Sequence, residues 1–258
     1  MRGITVHRRE QSTSARCIGV RYSYMAKKTL LAVDYPTANE WKSLLKSFSP
    51  EAIAHRLLLS SVPYVFRDEP LKFALFRRTI AESFGVRPTD IFIVGSALAG
   101  RSLKGKTIEK EYSAESDIDT LIISEHLFAT YVMRSFEWIR DVTAHQDKEE
   151  AYKPPQLSPE VVTQIGRLSL NACKGIWRPD SLPQGAEARE EFFNKFNAAS
   201  LNVLGLQLSE DTVSRVNGRI ARSFDDAARD LAGSLRRLRY ELEDSEKASV
   251  GKEKVSKA

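Results

Sequence analysis

Apolar residues at helical spacing predict three helices early in the chain. Thr37 and Glu40 stand three residues apart, as in a capping box, where each side chain bonds the other's backbone amide. We therefore expect a helix to begin there, followed by a second helix over 50–60 and a third over 70–84. The third helix opens on a proline, precedes a glycine and has one aromatic-rich face. That face consists of Phe73, Phe76, Ile80 and Phe84.

Two short β-branched runs follow, at Ile91–Val94 and Ile118–Ile123, and each has the length and composition of a buried strand. Between them, residues 97–103 can form one short helix. Residues 104–116 are too polar for the core and are predicted to be a loop. The pattern thus changes from helices to a small sheet and predicts the α+β class.

The second half of the chain is mainly helical in pattern. Ser124 is placed to cap a helix whose inward positions run from Leu127 to Phe136 and Ile139. A strand is predicted best over Val213–Ile220. Further helices are predicted over 158–173 and 186–199, and the clearest runs from 224 to 242, where apolar residues alternate three and four apart. They are Phe224, Ala228, Leu231, Leu235, Leu238 and Leu242.

These patterns divide the chain into four parts. Residues 25–150 are predicted to hold helices and the core sheet, and 151–243 to be a helical extension that completes the core with a later strand. Residues 244–258 are charged and repetitive, so a disordered tail is expected. Residues 1–24 are polar and arginine-rich, which fits either a transit-like leader or a disordered or mis-assigned extension before Met25. We favour the extension.

Composition narrows the possible classes of protein. The 258 residues are 42% hydrophobic and 28% charged, as in globular proteins, and no apolar run approaches membrane-spanning length. Cys17 and Cys173 form neither a zinc pattern nor a disulfide framework, so a reducing cytoplasm is the expected location. The formal net charge of +5 falls to about +1 without residues 1–24. The body is therefore not strongly basic, which argues against a long nucleic-acid ligand.

The main chemical signal is a pair of acids at the start of the second strand. Asp117 and Asp119 stand one residue apart, so strand periodicity directs both side chains to the same side. Aspartate is disfavoured in strands, and two of them before an apolar run need an explanation. Paired carboxylates form a hard-oxygen site that suits Mg²⁺ together with substrate phosphates. A solvent-exposed strand start is the alternative reading.

Gly95 and Ser96 end the first strand, where a turn allows a phosphate to approach the backbone closely. An ordinary strand-to-helix turn would look the same, and the sequence is not a P-loop. Downstream, Arg101, Lys104 and Lys106 could neutralise the charge of a triphosphate or pyrophosphate. A solvated loop is the alternative for these three cations.

The order of these motifs resembles the nucleotidyltransferase superfamily with the DNA polymerase β-like fold. That signature comprises a helix, a strand ending in Gly-Ser, a short helix, and a strand carrying Asp-x-Asp. It matches here at Gly95, Ser96, Asp117 and Asp119, over about residues 70–140. The resemblance implies a small mixed β-sheet nucleotidyltransferase core flanked by helices, with additional N- and C-terminal helices.

The resemblance implies a Mg²⁺-dependent enzyme that transfers an NMP from an NTP such as ATP to an acceptor hydroxyl. The acceptor could be RNA, a protein or a small molecule, and no membrane partner is expected. Family members carry a third carboxylate on a later strand, and this chain shows no such pattern. Asp180, Asp211 and Asp225 are candidates by position only. The alternative function is therefore a catalytically inactive nucleotidyltransferase-like module that binds a nucleotide or a protein partner.

Overall fold

The computed structural model describes residues 35–113, 115–146, 158–205 and 216–255, and these form eight helices and a four-stranded sheet. The predicted α+β class is confirmed. Two compact units are distinguished, 1–32 and 33–258, and the first lies outside the described residues together with the predicted leader. Among the described helices, none has the length and apolar content needed to cross a membrane.

The elements follow one another in the order helices, sheet, helices. The helices are α1 (Ala38–Ser47), α2 (Pro50–Ser60), α3 (Pro70–Phe84), α4 (Ser96–Ala99), α5 (Glu125–Gln146), α6 (Pro159–Cys173), α7 (Glu187–Asn202) and α8 (Phe224–Val255). The strands are β1 (Ile91–Val94), β2 (Ile118–Ile123), β3 (Ile176–Trp177) and β4 (Val216–Ala221).

The sheet has the strand order β1-β2-β4-β3. β1 and β2 are antiparallel, with Val94 opposite Asp119, whereas β2 and β4 are parallel, with Asp119 opposite Asn217. β3 is antiparallel to β4. The later strand expected from the sequence therefore lies directly beside β2, the strand that contains Asp119. Its predicted residues 213–215 lie outside the described residues.

Local sequence signals set the helix ends. The capping box is confirmed: the Thr37 amide donates to the Glu40 carboxylate at 2.8 Å, and the Glu40 amide donates to the Thr37 hydroxyl at 3.3 Å. α3 ends at Gly85, which has φ = 66° and is in the left-handed conformation that favours glycine. These two ends agree with prediction because capping depends on residues close together in sequence.

One face of the sheet is covered by an aromatic cluster. Trp177 on β3 packs against Tyr131 of α5 and Phe192 of α7, with ring centroids 4.7 and 4.9 Å apart. Phe196 packs on Phe192 and also against Gly218 of β4, where an added Cβ would lie 2.4 Å from its ring. This side of the sheet is therefore buried core, and a ligand could approach only from the other side.

Trp177→Ala should be one of the most destabilising single changes in this core. Its side chain is fully buried, and its Nε1–H donates to Ser135 Oγ at 2.9 Å. We expect a loss of about 3–5 kcal/mol in the free energy of unfolding, measured by urea denaturation. Trp177→Phe keeps most of the volume and should lose less. Equal stability of Trp177→Ala and the unsubstituted protein would contradict the packing described here.

α8 differs in length from the prediction. Its buried residues include Leu231, Leu235 and Leu238, as the pattern predicted, and it packs against α2. Its C-terminal half extends to Val255 and includes residues 244–255 of the tail that was expected to be disordered. Lys and Glu in this stretch favour a helix, and the packed first half allows the helix to continue.

Three smaller features also differ from the prediction. The two-residue strand β3 was not among the predicted strands, because a strand this short has no periodicity of its own. The short helix after β1 ends at Ala99 rather than near 103, since Gly100 has φ = 76°. Phe136, expected to face inward, is 44% exposed on α5.

Candidate functional site

The Gly-Ser turn and the Asp-x-Asp pair meet at one end of the sheet. The antiparallel pairing of β1 and β2 places Gly95, the residue after Val94, beside Asp119. Gly95 has φ = 68° and ψ = −147°, and a Cβ there would lie only 2.8 Å from Asp119 Oδ2. Glycine is needed both for this backbone conformation and for the approach of the carboxylate. The two motifs therefore form one site.

The two acids differ in their surroundings. Asp117 is exposed just before β2, whereas Asp119 is half-buried within the strand. Burial raises the pKa of the Asp119 carboxyl, the positive charge of Arg219 opposes this rise, and the negative charge of Asp117 adds to it. Lys104 and Arg178 also oppose the rise, so three cations act on the Asp119 carboxylate and its burial outweighs them.

Both motifs open into a cleft of about 1390 Å³. This volume exceeds that of a typical pocket for one small ligand, so the cleft has room for two. Nine basic and five acidic side chains line it. The basic ones are Lys104, Lys106, Lys110, Lys174, Arg178, Arg219, Arg229, Arg236 and Arg237. The near-neutral body thus has its positive charge concentrated where anions would be attracted.

The loop between β1 and β2 supplies one part of this charge. Lys104 and Lys106 line the cleft, as does Lys110, and the structure shows no ion pair for any of the three within the described residues. The loop is held by the Gly105 amide, which donates to Glu241 Oε2 of α8 at 2.7 Å. Ser96 also lines the cleft, at the start of α4.

Arg101, in contrast, lies outside the cleft. Its side chain is buried, with Nε donating to the Pro36 carbonyl at 3.0 Å and Nη1 to the Ile108 carbonyl at 3.1 Å. Its third contact is Glu111, 3.4 Å away. The structure therefore places Lys104 and Lys106 in the cleft that the acids line, whereas Arg101 fastens the loop to the segment before α1.

Arg101→Met should lower the stability of the protein, whereas Lys104→Ala should weaken nucleotide binding. Removing the Arg101 guanidinium leaves two buried carbonyl groups without their donor, so we expect a loss of about 1–3 kcal/mol in unfolding free energy. Lys104→Ala should leave stability unchanged and weaken binding of a non-hydrolysable NTP analogue. Thermal melting and calorimetric titration measure the two effects. Normal stability of Arg101→Met would contradict its structural role.

β4 carries an arginine where the resemblance called for an acid. On the face of β4 that Asp119 shares, the residues are Asn217 and Arg219, by the alternation of strand side chains. Asp180 and Asp225 are exposed, and neither lines the cleft, while Asp211 lies outside the described residues. Within the described ranges, no group of three or more His, Cys, Asp and Glu side chains is placed to hold a metal ion.

Arg219 is part of a charged cluster that sequence reasoning missed. Its Nε lies 3.1 Å from Asp230 Oδ2 of α8, and Nη2 of Arg178 lies 3.2 Å from both oxygens of the same carboxylate. Burial lowers the pKa of the Arg219 guanidinium, and the charge of Asp230 counteracts this. An arginine inside an otherwise small and apolar strand, VNGRIA, was the available sequence signal.

Three arginines of α8 are exposed, and a fourth, Arg239, is partly buried. Arg229, Arg236 and Arg237 line the cleft. Arg229 pairs with the buried Asp226 at 2.7 Å, and Arg236 pairs with Glu51 at 3.2 Å. Arg239 instead donates to the Phe48 carbonyl at 2.6 Å and joins α8 to the junction of α1 and α2.

Comparison of the chain with protein-family models, with curated proteins and with solved structures finds no match. The function must therefore be argued from the site itself.

Proposed function

We propose that the protein is a nucleotidyltransferase that moves an NMP from an NTP to an acceptor hydroxyl and releases pyrophosphate. The observation that carries this proposal is the contact between Gly95 and Asp119. It joins a turn that can approach a phosphate to a carboxylate pair, at the edge of a cleft rich in basic side chains. A carboxylate pair alone would repel a triphosphate, and cations alone would not hold a divalent ion.

The donor set fits one Mg²⁺ ion. Asp117 and Asp119 offer hard oxygens, and both line the cleft. Mg²⁺ commonly takes one or two carboxylates and completes its coordination with water and substrate phosphates. When bound, the ion would stabilise negative charge that develops on the phosphate oxygens. A second ion lacks a third acidic ligand among the described residues.

The chain's own residues would position the reactants. The Gly95-Ser96 backbone and the Ser96 hydroxyl would bind triphosphate oxygens, and Lys104 and Lys106 would neutralise the β- and γ-phosphates. The acceptor oxygen would form a bond to the α-phosphorus as the bond to the bridging oxygen breaks. Pyrophosphate would leave with that electron pair, and the acceptor hydroxyl would lose its proton to water in the open cleft.

A second function, binding without turnover, is favoured by Arg219. A guanidinium occupies the strand beside Asp119, where the resemblance implied a carboxylate for a second ion. A site that holds a nucleotide through Lys104, Lys106 and Arg219 needs no third acid. Such a module would change its interactions with a partner when the nucleotide binds.

One experiment separates the two functions. The protein is incubated with each α-labelled NTP and Mg²⁺, with RNA, mononucleotides or cell extract as acceptor, and both label transfer and pyrophosphate release are measured. Transfer with at least one NTP supports the enzyme. Saturable Mg²⁺-dependent NTP binding without pyrophosphate release from any mixture would favour the binding module. Absence of NTP binding would contradict both.

A further inference from the structure

Arg178 and Arg219 lie side by side and share one carboxylate. Trp177 of β3 is paired with Ile220 of β4, so the antiparallel ladder places the next residues, Arg178 and Arg219, opposite each other. Asp230 is the only acid that forms an ion pair with either of them within the described residues. The two guanidinium groups thus share one ion-pair partner, and the charges of Asp119 and Asp180 also act on Arg219.

The donors of Arg219 are largely unused. Its side chain is 15% exposed, and no hydrogen bond from any of its N–H groups occurs in the described part of the chain. Nε is buried and lies close to Asp230, but the N–H is not directed well enough for a hydrogen bond. A buried guanidinium normally has its donors paired. Nε is inaccessible from the cleft, so an anion there would pair the Nη groups of Arg219, which lines it.

The position of this cluster separates it from the triphosphate turn. The strand order β1-β2-β4-β3 places Gly95 on one side of Asp119 and the Arg178–Arg219 pair on the other. Lys174, exposed after α6, lines the same cleft without an ion pair among the described residues. Two cationic regions therefore flank the carboxylate pair, and the cleft is large enough for two ligands.

We propose that Arg178, Arg219 and Lys174 form a second phosphate subsite, which binds a phosphate group of the acceptor. The role of this ligand as acceptor rests on the proposed function; the phosphate subsite itself does not. The ligand is a nucleotide unit that carries a phosphate, either free or at the end of an oligonucleotide. Guanidinium and ammonium groups that line one cleft bind phosphate oxygens strongly, and their charges disfavour a cationic acceptor.

Binding in EDTA tests the subsite without a metal ion. The probes are AMP, adenosine, and a five-nucleotide RNA with and without a 5′-phosphate, titrated calorimetrically into the full-length protein at fixed low salt. The phosphorylated member of at least one pair should bind about tenfold more tightly than its partner. If only AMP and adenosine differ, the ligand is a free nucleotide. If only the two RNAs differ, the ligand is the end of an oligonucleotide. No difference in either pair would overturn the subsite.

Four variants locate the phosphate. Lys174→Ala and Arg219→Lys should each remove most of the difference, and the lysine variant keeps the charge that Asp230 needs. Arg167→Ala is the matched control, because Arg167 is an exposed basic residue on α6 that does not line the cleft. If thermal melting shows that Arg219→Lys is not folded, the result for Lys174→Ala alone decides where the phosphate binds. An equal loss in Arg167→Ala, or a loss in Lys104→Ala as large as that in Lys174→Ala, would overturn the location.

The transfer assay separates failure of the subsite from failure of the proposed function. Transfer to acceptors with and without a phosphate at equal rates would overturn the subsite and leave transfer intact. Phosphate-dependent binding in EDTA without any pyrophosphate release would support the subsite and overturn the enzymatic function.

Discussion

Asp119→Asn should lower the rate of NMP transfer by at least about a hundredfold, a loss typical of removing one group that stabilises transition-state charge. The amide keeps the size of the side chain, so its contact with Gly95 is preserved. What it loses is the negative charge that would hold the cation. Pyrophosphate release with saturating NTP and acceptor measures the effect, and Mg²⁺-dependent binding of a non-hydrolysable NTP analogue should weaken in parallel.

The same substitution should not destabilise the metal-free protein. Burial raises the pKa of Asp119, so the folded state holds this proton more tightly than the unfolded state does. The ionised carboxylate then opposes folding above its raised pKa, and stability increases as the pH falls through it. Asparagine has no such charge. In EDTA at neutral pH, Asp119→Asn should therefore melt at the same temperature or higher, with a flatter dependence on acidic pH.

Glu115→Gln is the control for this prediction. Glu115 is exposed two residues before Asp117 and does not line the cleft, so removing its charge should leave transfer and melting unchanged. If Asp119→Asn transferred NMP at the rate of Glu115→Gln, Asp119 would have no catalytic part. A large loss of thermal stability in Asp119→Asn would contradict the account of its charge.

The part of the site that the sequence predicts is the part built from nearby residues. Gly95 and Asp119 belong to a two-stranded unit joined by one loop, and their alternation and spacing place them on adjacent strands. Lys104 and Lys106 belong to the same loop, and they line the cleft because that loop borders it. Arg101 has the same charge and a similar position, but its burial depends on Pro36, 65 residues away. Sequence near Arg101 contains no sign of that contact.

The other half of the site depends on distant pairing. Arg219 reaches Asp119 through the parallel pairing of β2 and β4, whose partners are nearly one hundred residues apart in sequence. Arg178 joins them through β3, a strand of two residues. Asp230 lies on α8, where the leucine pattern marks the buried stripe but does not show which polar residue faces the sheet. Each of these placements is set by tertiary packing, which local patterns do not encode.

Gly95→Ala should abolish transfer while leaving a folded protein. An alanine there must adopt φ near 68° and ψ near −147°, which only glycine adopts readily, at a cost of about 1–3 kcal/mol. Its Cβ would also lie 2.8 Å from Asp119 Oδ2, so the carboxylate must move from its present position. Because the metal and the triphosphate turn would both be displaced, we expect a rate loss of at least about a hundredfold.

Gly85→Ala separates backbone strain from displacement of the carboxylate. Gly85 also has positive φ, 66°, but no atom lies within 4 Å of a Cβ placed there. Its substitution should cost about 1–2 kcal/mol in unfolding free energy and leave the transfer rate of the folded protein unchanged. Urea denaturation and pyrophosphate release are measured for both variants under the same conditions. Gly95→Ala with the transfer rate of Gly85→Ala would show that the approach of Gly95 to Asp119 is a packing feature and not part of the site.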